Sequence, residues 1–271
     1  MPIPYPRIPP DIIHVGPFHL RWYGVMYFVG YVVGVALARR RIDRGRSLLT
    51  REQIDQLIAY VVIGMLIGAR LVYEFVYSRA DLAHDPIEIL RVWNGGLSFH
   101  GAILGMALVS GLFARRAKVP WLGVTDTIAV CGTPGLFFGR IGNFINAELY
   151  GRPSAVPWAM IFPTDPSHLP RHPSQLYEAA LEGLLLFAVL WWFTSRPRPR
   201  LAPSGLFLII YGLARSLIEF VRVPDEHIGY LAGGWLTEGQ LLSLPMILAG
   251  AAMLAWAYRT RIPSGNFAAA T

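Results

Sequence analysis

The chain has 271 residues, of which 54% are hydrophobic and 15% are charged, and its mean hydropathy is +0.43. This composition excludes an ordinary soluble domain, because long apolar runs with few charges are typical of helices that cross a membrane. The net charge of +7 does not indicate a nucleic-acid partner, since the arginines lie in short clusters between apolar segments and no aromatic-basic module accompanies them.

Seven apolar segments are predicted to be transmembrane helices. In chain order they are Trp22–Ala38, Ile54–Tyr77, Gly96–Phe113, Leu122–Phe144, Ser174–Phe193, Pro203–Val221 and Leu236–Tyr258. Each is about long enough to cross ~30 Å of hydrocarbon, although the first and third are short. The predicted fold class is an all-α integral membrane protein with a single membrane domain over residues 1–271.

The positions of the cationic residues predict the orientation of these spans, because cytoplasmic loops carry an excess of arginine and lysine. One side has fourteen of them: Arg39, Arg40, Arg41, Arg44, Arg46, Arg51, Arg115, Arg116, Lys118, Arg196, Arg198, Arg200, Arg259 and Arg261. The other side has seven: Arg7, Arg21, Arg79, Arg91, Arg152, Arg171 and Arg222. We therefore predict that the N-terminus lies outside and the C-terminus in the cytoplasm.

Three further segments complete the predicted organisation. Residues 147–173, which are rich in proline and polar residues, are predicted to form a small ordered head on the outer surface. The tail 263–271 is predicted to be disordered. The start, MPIPYPRIPPDIIH, has no basic region followed by an apolar core, so we expect the first span to act as the insertion signal.

Cys131 is the only cysteine, which excludes a disulfide framework and a multi-cysteine metal site. It lies in the middle of a predicted span without a histidine nearby in sequence. A small packing residue is therefore favoured over a nucleophile.

Ionisable residues inside two predicted spans fall on shared helix faces. In YGLARSLIEFVR, Tyr211, Arg215, Glu219 and Arg222 are spaced i, i+4, i+8 and i+11, which places them along one stripe. Two of them have a structural alternative: Glu219 could only neutralise Arg215 or Arg222, and Arg222 could extend to the lipid headgroups. Another pair at i and i+4, Arg70 and Glu74, is favoured as a structural ion pair.

The stretch GRIGNFINAELYGR concentrates polar residues at the end of the fourth span. Arg140, Asn143 and Ala147 are predicted to share a face, which Asn146 and Glu148 flank. A further acidic residue, Asp126, lies earlier in the same span, where the simplest interpretation is that it holds a neighbouring arginine.

Arg140 and Arg215 are harder to explain as packing residues. Two guanidinium groups that face the same cavity would repel each other unless an anion lay between them. Arginine is well suited to binding phosphate oxygens, and a phospholipid headgroup is the most available anion in a membrane. The sequence therefore predicts a site for a lipid phosphate.

His100 is the candidate for proton transfer. It lies about one turn inside the third span in NGGLSFHGAILG, close to Gly95, Gly96 and Gly101. Glycines on both sides would allow another chain or a substrate to approach closely. A satisfied packing histidine is the alternative to a general base.

Several lipid chemistries lack their residues in this sequence. There is no D-x-x-D cluster for magnesium and no G-x-S-x-G serine. What remains is positive charge to hold a phosphate, one candidate base and no evident nucleophile or metal. Direct displacement, in which a second substrate attacks and phosphate leaves, fits this set.

Five motifs resemble those of the bacterial prolipoprotein diacylglyceryl transferases. They are RWYG, GGLSFHG, GRIGNFINAELYGR, RHPSQLYE (Arg171–Glu178) and YGLARSLIEFVRVPD, in the order found in that family. The resemblance extends from about Phe18 to the seventh span. It implies a seven-span bundle with an outward-facing head in the bacterial cytoplasmic (inner) membrane.

The resemblance also implies the reaction. The diacylglyceryl group of phosphatidylglycerol would pass to the thiol of the lipobox cysteine in the signal peptide of a prolipoprotein, with release of glycerol 1-phosphate. This is the first step of bacterial lipoprotein maturation, and no cofactor or metal is expected. The partners would be these two substrates and the surrounding membrane lipid.

Site residues are carried over at the positions that match the motifs. The essential arginines of the family fall on Arg140 and Arg215, and its histidine falls on His100, which we expect to be the catalytic set. The residues expected to bind substrate are Tyr23, Asn143, Asn146, Glu148, Gly151, Tyr211, Glu219 and Arg222, of which Asn146 is included because it flanks the polar face of the signature. Arg21 departs from the histidine that some members have before this Trp-Tyr pair, so a catalytic role there is doubtful.

Two other functions remain open at this point. A transporter or flippase for anionic lipid would use the same arginines, but it predicts internal pseudo-symmetry and paired broken helices, which the sequence does not show. A scaffold protein of the envelope would leave the charges within the spans unexplained.

Overall fold

The computed structural model describes most of the chain. The described residues are 2–6, 8–15, 18–79, 82, 85–91, 95–223, 230–231, 233 and 235–264. Over these residues the protein is mostly helical. Five helical segments are long and apolar enough to cross a membrane by length and composition, namely Trp22–Asp43, Arg51–Val76, Trp121–Ile145, Ser174–Phe193 and Glu238–Thr260.

All seven predicted segments are helical. The helices are α1 (Trp22–Asp43), α2 (Arg51–Val72), α3 (Phe99–Ala117), α4 (Trp121–Cys131), α5 (Thr133–Ile145), α6 (Ser174–Glu178), α7 (Leu186–Phe193), α8 (Ala202–Ile218) and α9 (Glu238–Thr260). Two π-helical stretches add to them: Tyr73–Tyr77 follows α2, and Ala179–Leu185 joins α6 to α7. A 3-10 turn covers Pro86–Leu90.

Helix ends differ from the predicted bounds for local chemical reasons. The predicted fourth span is two helices, because Pro134 near the start of α5 lacks the N–H that a continuous helix needs. Helix α3 begins at Phe99, since the Ser98 side chain accepts a hydrogen bond from the N–H of Gly101 at 3.3 Å. Capping boxes at Thr50 and Thr237 fix the starts of α2 and α9.

Helices α2 and α3 pack through a pair of small-residue motifs. Gly64 and Gly68 on α2 face Gly101 and Gly105 on α3, and a side-chain carbon at Gly105 would collide with the Gly64 carbonyl oxygen. Backbones that approach this closely gain van der Waals contact without side-chain entropy. Helix α1 similarly packs on α5, and α9 packs on α8.

Asp126 holds the start of α8, so the expectation that it holds an arginine is wrong. Its carboxylate accepts hydrogen bonds from the backbone N–H groups of Leu201 (2.9 Å) and Ser204 (3.1 Å) and from the Ser204 hydroxyl (2.7 Å). Ser264 donates a further bond at 2.7 Å. The orphan N–H groups of a helix N-terminus compensate a buried carboxylate as an arginine would.

The predicted tail 263–271 is described only at its first two residues. Besides the contact of Ser264 with Asp126, the backbone N–H of Ser264 donates to the carbonyl of Arg198 at 3.0 Å. Residues 265–271 lie outside the described part of the chain.

The segment 147–173 joins the N-terminal strands. Strand β1 (Ile3–Pro4) pairs in parallel with β4 (Met160–Ile161), which pairs antiparallel with β5 (Pro170–Arg171). A separate hairpin is formed by β2 (Asp11–Val15) and β3 (Phe18–Arg21). Tyr5 anchors the N-terminal part by donating to the carbonyls of Phe144 (2.5 Å) and Ile145 (2.9 Å) at the end of α5.

Asp165 and Arg171 form the main ion pair of this segment. The Arg171 Nε lies 2.5 Å from Asp165 Oδ2, and the Asp165 side chain is only 2% exposed. The Ser167 hydroxyl and N–H also donate to this carboxylate. The hydrogen bond from Arg171 is the main reason that the pKa of Asp165 lies far below its ordinary value.

Replacement of Gly105 by alanine is expected to destabilise the α2–α3 pair by about 1–3 kcal/mol, because the added methyl group overpacks the interface. The measurement is the thermal unfolding midpoint in detergent. Gly111→Ala is the matched control on the same helix, since its added carbon would meet only Trp121, at 4.0 Å. Equal midpoints for the two variants would contradict the close-packing argument.

The Asp165–Arg171 pair predicts a component of stability that depends on pH. Because the pKa of Asp165 is lower in the folded than in the unfolded protein, this component is fully present above the ordinary aspartate pKa of about 4. It is lost as the pH falls from there through the folded pKa. Unfolding by denaturant at pH 3 to 7 should show this loss in the wild type and a flatter profile in Asp165→Asn. Identical profiles would refute the assignment.

Candidate functional site

Six charged side chains form a closed ring of ion pairs in which arginine and glutamate alternate. In order around this arginine–glutamate ring they are Arg140, Glu178, Arg222, Glu219, Arg215 and Glu182. Every member contacts one residue of opposite charge on each side. Three positive and three negative charges cancel, which is what a site surrounded by apolar helices requires.

Two glutamates connect α5 to the other helices of the ring. Glu178 Oε2 lies 2.7 Å from Arg140 Nε, and its Oε1 accepts from Arg222 Nη1 at 2.9 Å. Glu182 Oε2 lies 3.3 Å from Arg140 Nη2, and its Oε1 lies 3.9 Å from Arg215 Nη1. Both glutamates therefore bridge a pair of arginines that come from different segments.

The third glutamate closes the ring at the end of α8. Glu219 binds Arg215 one turn earlier and lies 3.5 Å from Nε of Arg222. Glu219 thus pairs with both Arg215 and Arg222, where the structural alternative had named one or the other. Arg222 turns inward to Glu178, so the alternative that it extends to lipid headgroups is wrong.

A π-helical stretch brings the glutamates to Arg140. Glu178 ends α6 and Glu182 lies within Ala179–Leu185, where the extra residue per turn changes the face that each side chain occupies. Gly183 allows α5 to approach, because a side-chain carbon there would lie 2.6 Å from the Cα of Phe137. Phe137 precedes Arg140 by three residues on α5, so this contact places Glu182 beside the guanidinium.

Burial differs between the two signs of charge. The side chains of Glu178, Glu182 and Glu219 are 0%, 1% and 4% exposed, whereas those of Arg140 and Arg215 are 23% and 18% exposed. The accessible part of the ring is therefore cationic. An anion that approaches the ring would meet arginine donors first.

A second polar cluster lies one helical turn from Arg140. The Asn143 side-chain amide donates to Glu148 Oε1 at 2.8 Å, and that of Asn146 reaches the same oxygen at 3.4 Å. The Tyr23 hydroxyl is 3.0 Å from that of Tyr27 and interacts electrostatically with Asn143 and Glu148. The structure thus brings together four of the predicted substrate-binding residues.

Ala147 does not share the helical face of Arg140 and Asn143, contrary to the prediction. Helix α5 ends at Ile145, and Ala147 has a φ of 54°, in the left-handed region. This turn reverses the chain, so that the backbone N–H of Glu148 donates to the carbonyl of Asn143 at 3.1 Å. The Glu148 side chain therefore returns to the asparagine one turn behind it.

Gly151 joins this cluster to the ring through the backbone. Its N–H donates to the carbonyl of His172 at 2.9 Å, and it forms an isolated β-bridge with Arg222. A side-chain carbon at Gly151 would collide with the carbonyl oxygen of Val221. Arg152 donates to the carbonyl of Arg222 at 2.6 Å. These contacts explain why residue 151 is a glycine, since two backbone segments approach too closely there for a side chain.

Tyr211 lies beside the ring, as its stripe predicted. Its aromatic ring stacks on Phe207 with centroids 5.8 Å apart. It interacts electrostatically with Arg140, Glu182 and Arg215. Arg21, by contrast, is exposed and pairs with Asp11 across the N-terminal hairpin at 3.4 Å.

His100 lies in the first turn of α3 on an exposed surface, outside the ring. The glycines around it have structural causes, so they do not indicate the approach of a substrate. Gly101 packs on Gly68 of α2, and the carbonyls of Gly95 and Gly96 accept hydrogen bonds from Arg70. The role of His100 in proton transfer stays a prediction.

Glu178 and Glu182 were not among the predicted site residues. Glu178 ends the motif RHPSQLYE, and Glu182 follows one turn later inside an apolar span, so a search for acidic residues within the spans would have found both. Fixed glutamates already supply the negative charge between Arg140 and Arg215, so the proximity of the two arginines does not by itself require a phosphate.

The fold and the site together define a helical integral membrane protein with a charge-balanced ionic centre among apolar helices. A family model described as "Prolipoprotein diacylglyceryl transferase" matches residues 10–256. A phosphatidylglycerol–prolipoprotein diacylglyceryl transferase of Azotobacter vinelandii is 53% identical over 95% of this chain and 97% of its own length. Proteins of the same name from Ectopseudomonas mendocina and Nitratidesulfovibrio vulgaris are 49% and 50% identical over 97% and 91% of this chain, and over 99% and 92% of their own lengths.

The chain therefore belongs to the prolipoprotein diacylglyceryl transferase family, and the recognition made from its motifs is confirmed.

Replacement of Glu182 by glutamine is expected to lower the free energy of unfolding by about 3 kcal/mol or more, because it leaves buried arginine charge uncompensated. Chemical unfolding in detergent measures the change. Glu52→Gln, at an exposed acidic residue in the first turn of α2, is the control and should behave as the wild type. A Glu182→Gln protein as stable as this control would show that the ring does not depend on its shared carboxylate.

Proposed function

We propose that this chain transfers the diacylglyceryl group of phosphatidylglycerol to the thiol of a lipobox cysteine in a prolipoprotein, releasing glycerol 1-phosphate. Membership of the transferase family supports the reaction, and the relatives are named for these two substrates. The observation that carries the site is the burial pattern of the ring, in which glutamates are covered and arginines stay accessible.

The bond changes are those of a direct displacement. The cysteine sulfur attacks the glycerol carbon that carries the phosphate ester, a C–S bond forms and the C–O bond breaks. The electron pair of that bond stays on the phosphate oxygen, which leaves as glycerol 1-phosphate. The thiol proton goes to a base, for which His100 is our candidate.

Arg140 and Arg215 are proposed to bind the phosphate and to stabilise the charge that grows as it leaves. A guanidinium has five N–H donors. Arg140 directs Nε and Nη2 to glutamates, which leaves donors on Nη1 for a substrate. The glutamates orient the arginines before substrate binds, so little reorganisation is needed in the transition state. Arg222 and Glu219 are proposed to help orient the two arginines, because Arg222 binds Glu178 and Glu219 binds Arg215.

The adjoining polar cluster is proposed to bind the rest of the substrate. Tyr23, Asn143, Asn146 and Glu148 offer hydroxyl, amide and carboxylate groups around Asn143, which lies one turn from Arg140, and this suits the hydroxyls of a glycerol headgroup. Tyr211 is assigned the same role because it lies beside the ring. Gly151 is assigned a supporting role through its backbone crossing.

We further propose seven spans in the bacterial inner membrane, with the N-terminus and the segment 147–173 outside. The arginine bias of the loops supports this orientation. It places the ring and the N-terminal strands at the outer half of the bilayer, where a secreted prolipoprotein would present its cysteine.

A transfer assay tests the reaction and separates it from lipid transport. Purified protein in detergent is incubated with phosphatidylglycerol and a synthetic lipobox peptide, and the peptide mass is measured. The expected result is a peptide heavier by one diacylglyceryl group. A peptide with serine in place of cysteine is the control and should stay unmodified. Lipid binding without any adduct would instead support a transporter.

Replacement of Arg140 by alanine is expected to lower the transfer rate by roughly 10²–10³, as for loss of one donor to a developing oxyanion. The exposed Arg116, which contacts only the Tyr60 hydroxyl at 3.5 Å among its described hydrogen bonds, supplies the control Arg116→Ala, which should keep wild-type turnover. Near-full turnover of folded Arg140→Ala would remove this arginine from the mechanism.

A further inference from the structure

Arg70 forms a second buried arginine cluster that the proposed reaction does not use. Its side chain is 5% exposed and lies 2.8 Å from Glu74, which is 1% exposed. Glu88 adds a second carboxylate at 3.6 Å. The prediction of a structural ion pair between Arg70 and Glu74 is therefore confirmed, but the pair uses only part of the guanidinium.

The remaining donors of Arg70 hold backbone carbonyls from two loops. Nη1 donates to the carbonyls of Gly95 (2.5 Å) and Gly96 (3.2 Å). Nε donates to that of Ile89 at 3.3 Å, and Nη2 donates to that of Glu88. All three guanidinium nitrogens are engaged, so this arginine differs from Arg140, which keeps donors for a substrate.

The Gly95–Gly96 loop leads directly into the first turn of α3. Both glycines have positive φ angles, 86° and 74°, which other residues rarely adopt. The backbone N–H of Ser98 then donates to the carbonyl of Ala69 at 3.0 Å, and the Ser98 hydroxyl caps α3. The backbone that leads into His100 is thus held to α2 at Gly95, Gly96 and Ser98.

The end of α2 is shaped to make this contact. Its last turn continues into the π-helical stretch Tyr73–Tyr77, which contains Glu74. The Tyr73 ring lies against Gly96, where a side-chain carbon would collide with it. π-Helical turns are often found at functional sites, and Glu182 of the ring also lies in one, Ala179–Leu185.

We propose that Arg70 is a positioning residue for the transfer reaction. By holding the carbonyls of Gly95 and Gly96, it sets the position of the first turn of α3 and with it the imidazole of His100. The inference rests on the proposed role of His100. Holding these carbonyls requires the three nitrogens of a planar guanidinium. Lysine has a single side-chain nitrogen and is therefore not an adequate replacement.

The test compares Arg70→Lys, His100→Gln and the double variant in the transfer assay. Arg70→Lys should lower kcat at least tenfold and leave KM for phosphatidylglycerol within about twofold, because the ring is untouched. The double variant should be no slower than His100→Gln alone, since a positioning residue acts only through the group that it positions.

Arg91→Lys is the matched control. Arg91 also binds the Pro86–Leu90 turn, through Asp85 at 2.7 Å and Glu88 at 2.9 Å, but no described hydrogen bond joins it to Gly95 or Gly96. It should keep wild-type kcat. If Arg70→Lys does not fold, Gly95→Ala disturbs the same loop by its φ alone, as no atom lies within 4 Å of the added carbon, and it should show the same kcat loss and the same lack of additivity.

Two sets of results would overturn the positioning role of Arg70. Multiplying losses in the double variant, or wild-type kcat in both Arg70→Lys and Gly95→Ala, would overturn the inference while leaving the role of His100 intact. Wild-type kcat in His100→Gln would overturn both the base assignment and the positioning inference. In that case the effect of Arg140→Ala would still report on the phosphate site separately.

Discussion

A guanidinium among apolar helices needs negative charge or carbonyl oxygens fixed beside it, and this requirement organises the protein. The arginine–glutamate ring meets it by alternation, so that no charge in the ring depends on a single partner. Because α5, the π-helical stretch before α7, and the end of α8 all contribute members, the ring also ties these segments together. The geometry of the site therefore depends on how these helices pack, and their packing depends in turn on the ion pairs of the ring.

The arginine–glutamate ring and the cluster around Arg70 compensate their buried arginines in different ways, and the difference fits their proposed roles. Arg70 uses every nitrogen on fixed acceptors and is nearly inaccessible, which suits a residue that holds a loop. Arg140 and Arg215 pair with buried glutamates and are themselves partly exposed, at 23% and 18%, which suits residues that bind an incoming anion. Both clusters include a glutamate that lies in a π-helical stretch, Glu74 in one and Glu182 in the other.

The positions of the helices and most of the site were predictable. Apolar length located all seven helical segments, and the motifs located Arg140, Arg215, Asn143 and Glu148, which the structure brings near one another. The predictions for Ala147 and Asp126 were wrong, because a left-handed residue ended α5 and a helix N-terminus replaced an arginine as partner. The pairing of Glu182 with Arg140 was not predictable, since the two residues lie 42 positions apart in sequence.

The sequence by itself determined that the chain is a membrane protein of this transferase family, because hydrophobic length and short motifs are local properties that survive without coordinates. Only the tertiary structure decided how the charges pair. Helical periodicity places Arg215 and Glu219 on one stripe, but it does not say which carboxylate from another helix arrives opposite Arg140. The pairing of Glu182 with Arg140 depends on the π-helical stretch that contains Glu182 and on the close approach of Phe137 to Gly183. Both involve packing between segments that are distant in sequence.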